Sequence, residues 1–248
     1  AGLKVVYHMM PGLPGMTPET DVRDFKRLFE EEDFQPDMLK LYPTLLVKGS
    51  PLSRNPGDFV PYDTETAANV VADLKEIVPP YVRIQRIQRD IPKPQIIAGV
   101  MNSNLRQYAR KELKRRGKKC KCINCRELWR AWIDPSTAEL KEIEYKSSGG
   151  TEYFISYESG SKLLAYLRLR LDDNATVREV KVTGQAADIG KTGSGVQHMG
   201  LGSKLMKIAE EKSKDYDKIR VTHGAGTRLY YEKLGYDLED YYMVKDLN

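Results

Sequence analysis

Three cysteines stand within six positions, Cys120-Lys121-Cys122-Ile123-Asn124-Cys125, and the 248-residue chain has no others. Cys-x-Cys-x-x-Cys packs three thiolates closely enough to hold one tetrahedral Zn²⁺ ion. An odd number at this spacing makes a poor disulfide framework, so a metal site in a reducing compartment fits better. Cys120, Cys122 and Cys125 are the candidate ligands; three structural thiols are the plain alternative. The fourth ligand stays open among His8, His198, His223 and a carboxylate. The lysines beside the cysteines would lower the thiol pKa values.

A second stretch carries a different chemistry. In Val196-Gln197-His198-Met199-Gly200-Leu201-Gly202-Ser203-Lys204, strand-like runs come before and an amphipathic helix begins at once. Two glycines one residue apart strip side chains from a helix N-terminus. Its free N–H groups and positive dipole end then point outward, which suits a pyrophosphate. A glycine-rich turn without a ligand is the bland reading. Further on, Tyr231 in Tyr231-Glu232-Lys233-Leu234-Gly235-Tyr236 is either a core tyrosine or a helix-held phenol, with Tyr230 beside it. Such a phenol can give a proton to a departing thiolate.

Net charge is a modest +5, but residues 106–126 hold ten lysines and arginines against one acid, Glu112. That excess suggests a polyanionic partner; a solvated basic helix is the alternative. Arg106, Arg110, Lys111, Lys114, Arg115, Arg116, Lys118 and Lys119 are the phosphate-contact candidates, with Arg86 and Arg89 from a preceding strand end. No run of about 18 apolar residues suggests a membrane span, and no export signal opens the chain. A cytoplasmic protein is expected. The strand-like start at residues 4–7 reads as though an earlier part of a domain were missing.

The elements that must position these residues change character along the chain. Residues 1–98 repeat strand, Pro/Gly loop and helix. Strands are predicted over 4–7, 38–42 and 81–87. Helices follow the caps Thr17 and Thr64, the second with Ala67, Val70, Val71, Leu74, Ile77 and Val78 on its apolar face. This order implies parallel β/α units, too few to close an eight-fold barrel. Residues 99–130 form a linker, with a helix capped by Ser103 and stopped by Gly117. From about 131 to 248 the pattern is mainly antiparallel: strands over 151–157, 162–171 and 176–182, a Gly-rich loop over 184–195 that reads as mobile, a helix after Gly202, a strand over 218–222, a helix over 225–234 and a last strand over 241–245. Between 130 and 151 there is no room for two helices.

The spacing Gln-x-x-Gly-x-Gly, the strand and helix order around it, and Tyr-x-x-x-Gly-aromatic at Tyr231 resemble the GNAT acetyltransferase core. The fold class expected is α/β: a partial radical-SAM-type β/α barrel remnant, a zinc linker and a C-terminal GNAT domain. The resemblance implies acetyl-CoA. Glu179, Val180, Lys181 and Val182 would pair with the pantetheine amides. Gln197, His198, Met199, Gly200, Leu201, Gly202, Ser203 and Lys204 would seat the pyrophosphate. Tyr230 would line the site, and Tyr231 would protonate the leaving thiolate.

The whole chain is similar to one family. Met9-Met10-Pro11-Gly12-Leu13-Pro14-Gly15, Phe34-Gln35-Pro36-Asp37-Met38-Leu39-Lys40-Leu41-Tyr42-Pro43-Thr44, and Ile84-Gln85-Arg86-Ile87-Gln88-Arg89-Asp90-Ile91-Pro92 resemble the catalytic subunit of Elongator, as do the cysteine cluster and residues 197–245. The resemblance implies modification of the tRNA wobble uridine. A 5′-deoxyadenosyl radical would take hydrogen from the acetyl methyl of acetyl-CoA before attack at uridine C5, giving 5-carboxymethyluridine. It also implies S-adenosylmethionine and a 4Fe-4S cluster, whose three-cysteine motif this sequence lacks. The radical step is therefore not expected of this chain alone. A second departure is 188–195, which lacks the Ser-Arg-Asp-Pro look of many relatives. Expected partners are tRNA, acetyl-CoA, and a second copy or Elongator-like subunits. The alternatives are a protein lysine acetyltransferase, with Glu152 or Glu179 as base, and a non-catalytic zinc-containing RNA-binding module.

Overall fold

The computed structural model describes residues 2–128, 133–184 and 200–247. They fall into two compact units, Val5–Cys125, and Ala1–Lys4 together with Arg126–Asn248.

The first unit grows from short apolar strands set between helices: β1 (Val6–Met9), α1 (Pro18–Glu30), β2 (Met38–Leu41), β3 (Leu46–Val47), α2 (Pro51–Arg54), α3 (Thr64–Ile77), β4 (Arg83–Ile87), β5 (Ile96–Ala98), α4 (Leu105–Arg115) and α5 (Ile123–Arg126). β1, β2 and β4 pair in parallel in the order β1-β2-β4, and β3 with β5 makes a small antiparallel pair. Leu39, Leu41 and Ile84 are fully buried in this unit, as are Val71 and Leu74 of α3. Thr17 caps α1 in a capping box with Thr20, and Pro18 opens the helix. The expected Thr64 and Ser103 caps each shift by one residue. Asp63 caps α3, its carboxylate accepting from the Thr66 N–H at 2.7 Å. Asn104 precedes α4 without a side-chain cap bond. Gly117 takes φ +67°, and the Lys118 N–H returns to the Leu113 carbonyl at 2.8 Å, stopping α4 where expected.

The second unit is a seven-stranded sheet: β6 (Glu139–Ser147), β7 (Gly150–Ser159), β8 (Lys162–Leu171), β9 (Ala175–Val182), then α6 (Leu201–Lys212), β10 (Lys218–Thr222), α7 (Arg228–Glu232), β11 (Asp237–Glu239) and β12 (Tyr242–Asp246). The order is β11-β12-β10-β9-β8-β7-β6, antiparallel except between β9 and β10. β6 was not foreseen. It is an edge strand of mostly exposed Glu and Lys, so its alternation carries little apolar signal. Ser148 and Gly149, at φ +45° and +75°, turn it into β7, and residues 133–150 contain no α-helix, as expected. The helix expected over 225–234 is a single 3-10 turn followed by the short α7. On one sheet face Ile155, Leu167, Leu169 and Val177 pack with Leu201, Leu205, Met206 and Ala209 of α6. Ile208 of the same helix is only partly buried. Fully burying a side chain such as Leu205 stabilises by about 2 kcal/mol. Among the described residues no helix is long and apolar enough to cross a membrane.

Candidate cofactor cleft and cysteine cluster

The exception in the sheet defines the first candidate site. β10 pairs with β9 only at Ala175, Thr176 and Val177. β9 then continues, paired to β8 through Glu179, Val180, Lys181 and Val182, with Arg178 bulged out of the ladder. From Arg178 on, its other edge makes no ladder with β10, which leaves backbone amides for an extended ligand. α6 begins beside this edge. Gly200 precedes it at φ +65°, a left-handed conformation that glycine adopts readily, and no side chain caps the helix. At Gly202 three elements converge: a Cβ there would meet the Tyr230 hydroxyl at 2.8 Å and Val182 Cγ2 at 3.7 Å. Gly202 thus leaves the room that the Tyr230 hydroxyl takes, whereas Gly200 answers to backbone conformation alone, with open space around a would-be Cβ. Gln197, His198 and Met199 lie outside the described residues.

Tyr231 is buried and packs edge-on against Tyr230 and Tyr236, at centroid distances of 5.1 and 6.1 Å. Burial, and then the neighbouring Tyr230, push its phenol up to about 12. It therefore stays protonated at neutral pH, with its proton in place. Tyr230 is partly exposed, with its hydroxyl over the first turn of α6.

The carboxylates considered as bases are engaged. Glu152 is 2% exposed and pairs with Arg170 at 3.2 Å and Arg178 at 3.0 Å. Glu179 pairs with Arg168 at 3.1 Å and Lys4 at 3.5 Å. Arg178 also donates to the Leu3 carbonyl at 2.8 Å, so residues 2–4 are fastened to this sheet.

The second candidate site lies in the first unit. Cys120, Cys122 and Cys125 bring their sulfurs within 4.8 Å of one another. The Ile123 N–H donates to the Val82 carbonyl at 2.9 Å, pinning α5 beside the start of β4. A tetrahedral zinc with bonds of about 2.3 Å needs sulfurs about 3.8 Å apart, so the three fit such an ion. Among the described residues no histidine or carboxylate joins the group. His8 instead meets the Tyr42 ring, and His223 is half-buried with Nδ1 3.2 Å from the Gly224 carbonyl. The cysteines hold unequal protons: hydrogen bonds from Cys120 and Cys122, then the charges of Lys75 and Arg106, keep Cys125 far below the usual thiol range. Sequence reasoning missed Lys75. Its signal was a lysine four residues after Val71 on the apolar side of α3.

The basic stretch separates into two kinds of cation. Arg110, Lys111, Lys114, Arg115, Lys118 and Lys119 are exposed, and so are Arg86 and Arg89. Arg106 is half-buried and donates to the Gln85 carbonyl at 3.2 Å. Arg116 is the hub of a network: it pairs with Asp73, with Glu112 at 2.6 Å and Glu76 at 3.5 Å, and reaches Asn69 at 3.3 Å, tying α4 to α3. Hydrogen bonds from Arg115 and Arg116 pull Glu112 down to about 2.

Comparison with known proteins gives a consistent result. Residues 36–115 match the family model described as Radical_SAM C-terminal domain. The tRNA uridine(34) acetyltransferase of Methanocaldococcus jannaschii is 43% identical over 100% of this chain, which spans 50% of that protein. The one from Dehalococcoides mccartyi is 41% identical over 100% of the chain and 59% of its own length. Elongator complex protein 3 of Saccharomyces cerevisiae is 38% identical, over 99% of the chain and 48% of the relative. A solved structure, the archaeal Methanocaldococcus infernus Elp3 with an N-terminal deletion, matches with TM-score 0.90 and 40% identity, covering 99% of this chain and 63% of that one. The chain thus spans about half the length of the curated relatives it matches.

Proposed function

From the similarity of the whole of this chain to about half the length of tRNA uridine(34) acetyltransferases and Elongator complex protein 3, we propose that this chain is the acetyl-CoA-binding and tRNA-contacting part of a cytoplasmic wobble-uridine-modifying enzyme. Residues 131–248 form a GNAT acetyltransferase domain, 99–130 a basic zinc linker, and 1–98 the end of a radical-SAM-type β/α barrel. One observation carries the acetyl-CoA reading: the convergence of Val182, Gly202 and Tyr230 where β9 loses its pairing with β10. Pantetheine extends the sheet along residues 179–182, and the first turn of α6 receives the pyrophosphate through Gly200, Leu201, Gly202, Ser203 and Lys204.

The residues then have defined tasks. Water attacks the thioester carbonyl, the carbon–sulfur bond breaks to leave a carboxylate, the departing thiolate takes the Tyr231 phenol proton, and the proton released by the water returns through solvent to the tyrosinate. Zinc held by Cys120, Cys122 and Cys125 supplies structure to the linker, not chemistry. The chain offers no second set of cysteines for a 4Fe-4S cluster, so no step through that cluster or S-adenosylmethionine is assigned to it. The exposed cations of α4 and its sequel, with Arg86 and Arg89, contact tRNA phosphates. Partners are tRNA and Elongator-like subunits or a second copy. A protein lysine acetyltransferase is less well supported, because Glu152 and Glu179 are both tied to arginines.

The test is acetyl-CoA hydrolysis with and without tRNA. Stimulation by tRNA is expected. Hydrolysis indifferent to tRNA, or calorimetry showing no CoA binding, overturns the proposal.

A further inference from the structure

Lys75 has the wrong polarity for its place. It sits in the last turn of α3 and is 2% exposed, the one buried lysine among the described residues. Its sequence neighbours Asp73 and Glu76 turn toward Arg116. Lys75 does not: among the described residues it makes no ion pair with a carboxylate, and its Nζ stands 3.7 Å from Cys125 Sγ. Taking an ammonium out of water without a counter-charge costs several kcal/mol. The cost is offset if the group it faces is anionic. Three thiolates around a divalent ion carry one excess negative charge, at the place where the ammonium points. Neutral thiols would leave the lysine uncompensated.

We propose that Lys75 is the outer-sphere counter-ion of the three-cysteine centre. Its ammonium donates a hydrogen bond to the Cys125 sulfur, offsets the excess charge of three thiolates on a divalent metal, and thereby sets the affinity of the site. It is a positioning residue and does not bond to the metal. The proposal rests on the reading that Cys120, Cys122 and Cys125 hold such an ion. Met is the informative replacement, since it keeps the length of the side chain and removes the charge. Outer partners of metal ligands typically change affinity by 10- to 100-fold.

The experiment compares zinc affinity of the full chain by competition with a chromogenic chelator, for wild type and Lys75→Met. It also records the Co²⁺ spectrum and the midpoint of thermal unfolding with and without zinc. Wild type is expected to bind one ion, and Lys75→Met to bind it 10- to 100-fold more weakly. The thiolate-to-cobalt charge-transfer and d–d bands should keep their positions. The metal-free variant should unfold no earlier than the metal-free wild type, while zinc raises its midpoint less. Lys75→Gln, for the case in which a buried methionine does not fold, should also weaken zinc binding at least tenfold. Equal zinc affinities, or an equal loss of thermal midpoint with and without zinc, overturn the counter-ion role. A moved d–d envelope in Lys75→Met overturns it too, by making the amine a ligand in its own right. Wild type that binds no zinc overturns the metal reading itself, and this proposal with it.

Discussion

The cleft beside β9 and the cysteine cluster are made of different parts of the polypeptide. The cleft is backbone: a strand edge without a ladder partner among the described residues, the first N–H groups of a helix, and glycines that keep the helix start bare. The cluster is side chain: three sulfurs and a lysine, with the backbone as scaffold. A backbone site fails when something is added to it, and a side-chain site fails when something is taken away. This difference orders the effects of mutation.

The largest effect is expected from deletion in the cluster. Cys122 is fully buried between two partners that lie within 4.8 Å. Cys122→Ser should take zinc content, measured by elemental analysis, from one ion per chain to none. It should also lower the unfolding midpoint by about 5 °C or more, since structural zinc contributes directly to folding free energy. Retained stoichiometric zinc would break the contrast at its stronger end.

Addition at the cleft comes next. Gly202 is helical, so alanine there costs no backbone strain, yet its Cβ would lie 2.8 Å from the Tyr230 hydroxyl. Overpacking of this kind costs about 1–3 kcal/mol, or roughly 5- to 150-fold in CoA affinity if the cleft yields. Tyr230→Phe removes the atom that is met, so Gly202→Ala in that background should recover most of the loss. Calorimetry of CoA binding to the four proteins measures the coupling. Additive losses would mean that Gly202 matters for some other reason.

Tyr231→Phe takes away only a proton donor. Acetyl-CoA hydrolysis should fall about 10²-fold with CoA affinity unchanged. Because burial raises the phenol to about 12, the wild-type rate should show no loss from its ionisation between about pH 8 and 10, where an ordinary tyrosine begins to titrate. A descending limb centred near pH 10 that vanishes in Tyr231→Phe would refute that environment.

These sites were not equally legible in the sequence. Cysteine spacing announces itself because the ligands are adjacent in the chain. Gly200 and Gly202 were visible for the same reason, and so were Tyr230 and Tyr231. That the last two glycines of the loop have different physical causes was not visible, since it depends on Tyr230, which is 28 residues beyond Gly202. Lys75 and Cys125 are 50 residues apart, and no local pattern joins them. The parallel β1-β2-β4 units were legible through the repeat of strand, Pro/Gly loop and helix, and α6 through its period. β6 was not, because an edge strand of alternating Glu and Lys has no apolar face to betray it.

The smallest effects belong to α4, and here the contrast between addition and removal divides a single helix. By composition its cations form one basic run. In the fold, Arg110, Lys114 and Lys119 are exposed without ion pairs among the described residues, whereas Arg116 spends its guanidinium on Asp73, Glu76 and Glu112. Charge available to a phosphate is charge not already paired, so the two kinds should respond to different measurements. Lys114→Gln should leave the unfolding midpoint unchanged and reduce the slope of log affinity for tRNA against log salt by about one. Arg116→Gln should lower the midpoint by a few degrees, through unpaired acids between α3 and α4, with little change in that slope. If instead Arg116→Gln flattens the salt dependence and Lys114→Gln does not, the network around Arg116 opens to receive tRNA, and local pairing has ceased to predict which cations are free.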